Sequence, residues 1–260
     1  MRIARFTQGS DPRYALVEGE GEAAELVVIS GDPIYMPVQP TGERVPLDDD
    51  GVRLLAPVIP RSKVVAVARN YVAHAHEMQA EVPDRPLLFF KPNTSVVGPD
   101  DPVVLPEWSD RVEHEGELAV VIGKVTKDVS PEAALAHVFG YTCANDVTAR
   151  DVQRAESQWA RAKGFDTSCP IGPWIVVDLD TEDLEVEIRV NGERRQHGST
   201  SQMVFDIPYL VSYVSEAFTL LPGDVILTGT PAGVGPLVHR DIVEVEIENI
   251  GVLRNPVIRR

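Results

Sequence analysis

The sequence predicts an α+β chain that is predominantly β, with a small N-terminal β unit ahead of a larger domain. Short strand-like runs outnumber helical ones and do not alternate with them regularly, and the texture of the chain changes near residue 60. The irregular order argues against a doubly wound parallel sheet. A chain of 260 residues buries roughly 70 to 75% of its unfolded surface, so it needs no disulfide or metal staple to fold.

Residues 1–37, MRIARFTQGSDPRYALVEGEGEAAELVVISGDPIYMP, alternate short apolar runs with Gly, Pro and Asp turns, as a small antiparallel β unit does. PTGERVPLDDDG reads as a polar connection, and LLAPVIPRSKVVAVARNY opens the main domain. The division is therefore 1–58 and 59–260, with the boundary soft over residues 55–62. In the larger part, VVAVA, LAVVIG, WIVVDL, VEIRVNG, DVILTG and DIVEVEIENIGVL read as strands. VAHAHEMQAE, closed by Pro83 and Pro86, PEAALAHVFG and IPYLVSYVSEAFTLL read as helices. There is no internal repeat, low-complexity tract or heptad pattern.

The formal net charge is -16, which repels a phosphate backbone and speaks against nucleic acid as a partner. No run approaches the roughly 20 apolar residues of a membrane span, and MRIARFTQGSDPRY has no apolar signal-peptide core, so the expectation is a cytoplasmic protein. Cys143 and Cys169 form no C-x-x-C pair and are expected in the core of a protein from a reducing compartment.

From Val112 to Gly123 the chain reads VEHEGELAVVIG. Strand alternation places Glu115, Glu117, Ala119 and Val121 on one side, and Gly116, Leu118, Val120 and Ile122 on the other. A lone E-x-E is common on half-exposed strands, so its company matters. Asp146, 29 residues after Glu117, ends another apolar run in YTCANDVTARD, where Asn-Asp can leave a strand and cap a turn or helix. Three carboxylates at the ends of buried elements repel one another unless a cation sits between them. Mg²⁺ or Mn²⁺, which take oxygen ligands, need neither His nor Cys for this.

In ARNYVAHAHEMQAE, His74 and Glu77 are three apart and share a helix face, which lets the carboxylate orient the imidazole and raise its basicity. A solvated helical face has the same spacing. Lys163, in WARAKGFDTSCPIGPW, and Arg150, four after Asp146, read either as site cations or as a surface lysine and a structural ion-pair partner. LTGTPAGVGP, residues 227–236, lacks both the G-K-[ST] ending of a P-loop and the G-x-G-x-x-G spacing of a dinucleotide site. Its Gly229, Thr230, Pro231 and Gly233 suit a tight turn that holds a carboxylate through backbone N–H groups and the Thr230 hydroxyl, or a plain structural turn.

The ordered set ARNYVAHAHE, PLLFFKP, VEHEGELAVVIGK, GYTCANDVTARD, KGFDTSCPIGPW, VNGERRQ and LLPGDVILTGTPAGVG resembles the fumarylacetoacetate hydrolase superfamily over residues 61–253. The resemblance implies a mixed β-roll or sandwich catalytic domain, a homodimer, and a divalent cofactor, Mg²⁺ or Mn²⁺, on Glu115, Glu117 and Asp146. It implies His74 and Glu77 as a catalytic dyad on a mobile lid, with Lys163, Arg150, Gln153 and Thr230 facing the substrate and Gly229 in the turn beside it.

Members that hydrolyse fumarylacetoacetate carry a further metal-binding Asp shortly before the catalytic His, and VVAVAR, residues 64–69, has no carboxylate. The chain is closer to the smaller bacterial-type branch of acylpyruvate hydrolases, oxaloacetate decarboxylases, and homoprotocatechuate-pathway isomerases and decarboxylases. Ala68 and Arg69 stand where Gly and an apolar residue are common, KGF replaces the frequent KSF, and Arg69 is a candidate contact for a substrate carboxylate. In that branch a 2-oxo acid reacts through an enolate, whose charge the metal and Lys163 would stabilise. The expected activity is isomerisation or decarboxylation of a small 2-oxo or 2-hydroxy-dienoic acid such as 2-hydroxyhepta-2,4-diene-1,7-dioate or oxaloacetate. Acylpyruvate hydrolysis is the runner-up, and a catalytically silent 2-oxo acid binding protein the alternative of another class. A glycosidase is disfavoured, because aromatic residues make up only 6% of the chain and none clusters around Glu115.

Overall fold

The computed structural model describes residues 1–9 and 11–259, apart from the side chain of Glu22. The chain is mostly β, with 42% of residues in strands and 16% in helices. One large sheet runs, edge to edge, through Pro40–Pro46, Glu25–Ile29, Arg13–Glu18, Arg2–Thr7, Cys169–Val176, Val138–Asn145, Gly116–Ile122, Val225–Leu227, Val64–Ala68 and Leu87–Lys91. A second sheet, ordered Glu193–Ser199, Glu185–Val190, Ile242–Ile247, Gly251–Arg259 and Val103–Leu105, packs against it. Among the described residues, no helix is long and apolar enough to cross a membrane.

Gly116–Ile122 shows how the layers are specified. Leu118, Val120 and Ile122 enter the main core with Ile188 and Val245 of the second sheet, while Ala119 and Val121 belong to a cluster on the opposite face. Full burial stabilises each large aliphatic side chain by about 2 kcal/mol relative to exposure. Glu117 shares the Ala119 side, as alternation requires. Gly116 is needed on the other, where a Cβ would lie 2.3 Å from Ile188 Cγ1.

The N-terminal strands have an apolar cluster of their own, including Phe6, Val17 and Leu26. They are also hydrogen-bonded into the large sheet, because Arg2–Thr7 pairs antiparallel with Cys169–Val176.

Several expected elements differ. PTGERVP, read as a connection, is the strand Pro40–Pro46 on Glu25–Ile29; only Val45 is buried there, so an edge strand carries no apolar alternation. The PEAALAHVFG helix stops early, with Pro131–Ala134 α-helical and Leu135–His137 a 3-10 turn; Val138 already begins a strand beside Gly116–Ile122. The His74 helix covers only Val72–Glu77, because Gln79 takes φ +54° and Ala80 N–H closes back on Ala75 O. The IPYLVSYVSEAFTLL helix starts as expected, with the Asp206 carboxylate accepting Tyr209 N–H at 2.9 Å, but ends at Ala217, where Phe218 turns extended and Leu220 bridges to Thr126.

Candidate active site

The strand expected to run unbroken from Val112 is interrupted at Glu115, where the chain passes from the pairing of Val112–His114 with Thr148–Ala149 to that of Gly116–Ile122 with Val138–Asn145. Asn145 fixes the crossover: its Oδ1 accepts Glu115 N–H at 2.9 Å, and Asp146 N–H donates to Glu115 O at 2.8 Å. The result brings carboxylate oxygens of Glu115, Glu117 and Asp146 within 4.8 Å of one another, all three residues buried. Asp146 does not cap a helix, since its carboxylate lies between two ammonium groups.

Lys163 Nζ donates to Glu115 Oε2 and Asp146 Oδ2, both at 2.6 Å, and lies 5.1 Å from the centre of the Phe89 ring. Lys91 Nζ donates to Asp146 Oδ1 at 2.6 Å and to Lys163 O. Arg150 donates through Nε to Glu113 Oε2 at 2.6 Å, to Glu115, and to Gln153 Oε1. Burial works to raise the Glu115 pKa, but Lys163 and Arg150 outweigh it and hold the group below the usual carboxylate range. For Lys163 burial works downward, and the Asp146 and Glu115 charges prevail to raise its pKa.

Glu117 is different. It accepts Gly229 N–H at 2.7 Å and has no ion-pair partner among the described residues. Burial, then the charges of Asp146 and Glu115, push its pKa well above the carboxylate range. Four buried carboxylates, Glu113, Glu115, Glu117 and Asp146, lie beside the buried cations Lys91, Arg150 and Lys163, with the more exposed Arg111 also pairing with Glu113, and of the four only Glu117 has no ion pair among the described residues. An all-oxygen triad with one carboxylate left without a cation fits a hard divalent ion and does not fit a soft metal.

His74 is buried at the end of a short strand-to-helix turn. Asn70 fixes that turn, donating from Nδ2 to Phe205 O at 3.0 Å and Thr228 O at 2.8 Å and accepting Phe205 N–H at 2.8 Å. His74 Nδ1 lies 3.2 Å from Glu77 Oε2. Against a carboxylate, which accepts, the neutral imidazole tautomer that fits this contact has its proton on Nδ1 and its lone pair on Nε2. Glu77 is held in turn by Gly233 N–H, at 3.1 and 3.2 Å from its two oxygens.

The glycine-rich turn therefore does hold carboxylates, and they are the protein's own: Gly229 holds Glu117 and Gly233 holds Glu77. The Thr230 hydroxyl is likewise engaged, donating to Gly116 O and accepting from Gln196 Nε2, both at 2.8 Å. Of the two residues expected to hold a substrate carboxylate, Gly229 gives its N–H to Glu117, while Thr230 lines the cavity described next. A cavity of about 290 Å³ is lined by Arg69, His74, Glu115, Glu117, Asp146, Arg150, Gln153, Lys163 and Thr230, with Phe89, Met78 and Trp159 as apolar wall. Glu77 stands behind His74 and does not line it.

The fumarylacetoacetate (FAA) hydrolase C-terminal family model matches residues 63–258. The chain belongs to the fumarylacetoacetate hydrolase family. Residues 1–57 match a second model, the Rv2993c-like N-terminal region. The 5-carboxymethyl-2-hydroxymuconate delta-isomerase of Mycobacterium smegmatis has the same fold, with a TM-score of 0.93, 48% identity and 100% of both chains covered. The 2-hydroxyhepta-2,4-diene-1,7-dioate isomerase of Mycobacterium marinum gives a TM-score of 0.92 at 47% identity, covering 100% of this chain and 99% of that one. The human mitochondrial oxaloacetate tautomerase FAHD2A is 45% identical over 251 residues, 92% of this chain and 77% of that protein. The fumarylacetoacetate hydrolase family is one of enzymes, among them isomerases, hydrolases and tautomerases, that generally use a divalent metal.

In this family member, sequence reasoning missed Lys91, Glu113, Gln196 and Asn70. Lys91 had a signal: a lysine between Phe90 and Pro92 at the end of an apolar strand is badly placed for solvent. Glu113 continues the alternation of Glu115 and Glu117 one step upstream. Gln196 and Asn70 had none, because their importance lies in contacts with segments remote in sequence.

Proposed function

We propose that this chain is a divalent-metal-dependent enzyme that moves a proton on a small 2-oxo or 2-hydroxy-dienoic acid, as an isomerase or tautomerase. One observation carries the reading: His74, bound through Nδ1 to Glu77, lines the same cavity as the three carboxylates. The named relatives, two isomerases and a tautomerase, support it. A hard cation on Glu115, Glu117 and Asp146 would supply Lewis acidity to the keto and carboxylate oxygens of such an acid. His74 Nε2 removes a proton from the carbon next to the keto group, and Glu77 stabilises the imidazolium that forms. Lys163 places positive charge beside the oxygen on which negative charge develops. Gln153, held by Arg150 along one wall, orients the carboxylate. Return of the proton to another carbon is isomerisation; exchange between carbon and keto oxygen is tautomerisation.

The test follows the absorbance of 2-hydroxyhepta-2,4-diene-1,7-dioate and of enol oxaloacetate, using metal-stripped protein before and after Mg²⁺ or Mn²⁺ is added. Saturable interconversion restored by metal is expected, with a loss of roughly 100-fold or more in His74→Ala. Release of CO₂ without interconversion would replace the reading by decarboxylation, and release of pyruvate from an acylpyruvate by hydrolysis. Turnover indifferent to both metal and His74 would sink it.

A further inference from the structure

Gln196 is buried on the strand Glu193–Ser199, at one end of the second sheet, and does not line the cavity. A primary amide offers two N–H donors and an oxygen with two lone pairs, and here all four are used. Oε1 accepts from His114 Nδ1 at 2.8 Å and from Gly116 N–H at 3.3 Å, while Nε2 donates to Thr230 Oγ1 at 2.8 Å and to Pro231 O at 2.6 Å. Gly116 N–H only donates and Pro231 O only accepts, so one orientation of the amide fits. Thr230 closes the figure by donating its hydroxyl to Gly116 O at 2.8 Å.

The two segments joined in this way carry different parts of the site. Gly116 lies between Glu115 and Glu117, two of the three clustered carboxylates. Thr230 and Pro231 lie between Gly229, whose N–H holds Glu117 at 2.7 Å, and Gly233, whose N–H holds Glu77 at 3.1 and 3.2 Å. The turn is pressed onto the strand of Gln196 as well, because a Cβ on Gly233, at φ +105°, would run into Arg195 O, and one on Gly198 would lie 2.7 Å from Pro231 Cβ. An apolar side chain in place of Gln196 would take these partners away from His114 Nδ1 and Pro231 O inside the core, which is costly for buried polar groups.

We infer that Gln196 is a positioning residue for the reaction: by clamping the turn 229–233 to the strand of Glu117, it holds the carboxylate triad and the His74–Glu77 dyad in one fixed relation. Residues that orient metal ligands from behind are worth about 10- to 100-fold in metal affinity or activity, and a displacement of about 1 Å between reacting groups costs about 10²-fold in rate. The rate half of the inference rests on the reading of the cavity as a 2-oxo acid site, and the metal half on the triad alone.

Gln196→Met keeps the length of the side chain and deletes all four hydrogen bonds. Thr230→Val deletes the other side of the clamp with little change of shape. Val243→Ala, buried two strands away in the same sheet, is the control that lowers stability without touching the turn. Calorimetry gives the Mg²⁺ affinity of each folded full-length protein, and steady-state kinetics at saturating Mg²⁺ give kcat and KM. Gln196→Met and Thr230→Val are each expected to bind Mg²⁺ about 10-fold more weakly, with Val243→Ala within about twofold of wild type. Gln196→Met should also lose about 30- to 100-fold in kcat while KM stays within about threefold. A folded Gln196→Met whose Mg²⁺ Kd or kcat lies within about threefold of wild type overturns the inference, as do equal losses in Val243→Ala. If Gln196→Met does not fold, the Mg²⁺ affinity of Thr230→Val decides by the same threshold. A wild type that binds Mg²⁺ but turns over none of the acids removes the functional reading and leaves the Mg²⁺ comparison to decide this one; a wild type that binds no Mg²⁺ ends both.

Discussion

Gly229 donates its backbone N–H to Glu117 Oε2 at 2.7 Å, and that is the strongest support this buried carboxylate receives. Its neighbours Glu115 and Asp146 share lysine and arginine partners, whereas Glu117 meets mainly their negative charge. Its folded pKa lies above the unfolded one, so its contribution to stability turns unfavourable as pH rises past the unfolded value. Glu117→Gln is therefore expected to raise the stability of the metal-free protein at neutral pH by about 1 to 2 kcal/mol. It should weaken Mg²⁺ binding at the same time. Glu115→Gln breaks buried pairs with Arg150 and Lys163 and should destabilise by about 3 kcal/mol. Denaturant midpoints with chelator present read both signs, and a destabilised Glu117→Gln would refute the charge imbalance.

Glu77 lies between His74 and Gly233, and only a carboxylate fixes the imidazole with its proton on Nδ1. In Glu77→Gln the amide can donate as well as accept, which lets Nδ1 lose the proton and Nε2 gain it. A fall in kcat of about 10² or more is expected. The side chain is about a third exposed, so the melting temperature should move by no more than about 2 °C. Steady-state rates beside a thermal melt decide this. A kcat within threefold of wild type would remove Glu77 from the machinery.

The clustering of Glu115, Glu117 and Asp146 was legible because three carboxylates end runs whose other residues are apolar, a conflict readable in one dimension. The His74–Glu77 contact was legible from its spacing of three. Lys163 and Arg150 left two readings open, and the structure unites them: each is both an ion-pair partner and part of the cavity wall. The break at Glu115 was not legible, since it depends on Asn145 accepting a hydrogen bond across 30 residues. Pro40–Pro46 stayed hidden because an edge strand with one buried side chain has no period to detect. The short His74 helix was overextended for the opposite reason: Met78 to Ala80 suit a helix locally, and Gln79 at φ +54° follows from packing.

Asp224, wholly buried, ties the parallel strands Val225–Leu227 and Val64–Ala68 at their starts. It receives Ser62 N–H at 3.0 Å, Lys63 Nζ at 2.7 Å and Leu221 N–H at 2.9 Å. Burial works to raise its pKa, but Leu221 N–H, Lys63 and Ser62 prevail and lower it. A depressed carboxylate contributes stability that is complete above its unfolded pKa, about 4, and that is lost as pH falls through the folded value. Asp224→Asn should cost about 2 to 3 kcal/mol at pH 7 and flatten the decline of stability below pH ~4. Urea titrations from pH 7 to pH 3 test it; parallel curves for the two proteins would exclude Asp224 as a source of the acid sensitivity.

Lys91 is wholly buried, and its ammonium joins Asp146 Oδ1 to the backbone carbonyl of Lys163. Lys91→Met keeps the length and apolar stem while deleting one of three buried cations. The metal-free variant should lose about 3 kcal/mol, the usual consequence of stranding one member of a buried pair. A divalent cation replaces the missing charge, so Mg²⁺ should stabilise Lys91→Met more than it stabilises the wild type. Stabilisation by a ligand rises as RT ln(1 + [L]/Kd), so a tenfold tighter site adds about 1.4 kcal/mol at saturating metal. Melting temperatures with and without Mg²⁺ measure the difference directly. A smaller shift in the variant would mean that Lys91 acts by orienting the Asp146 carboxylate, whose loss of alignment then outweighs the gain in negative charge.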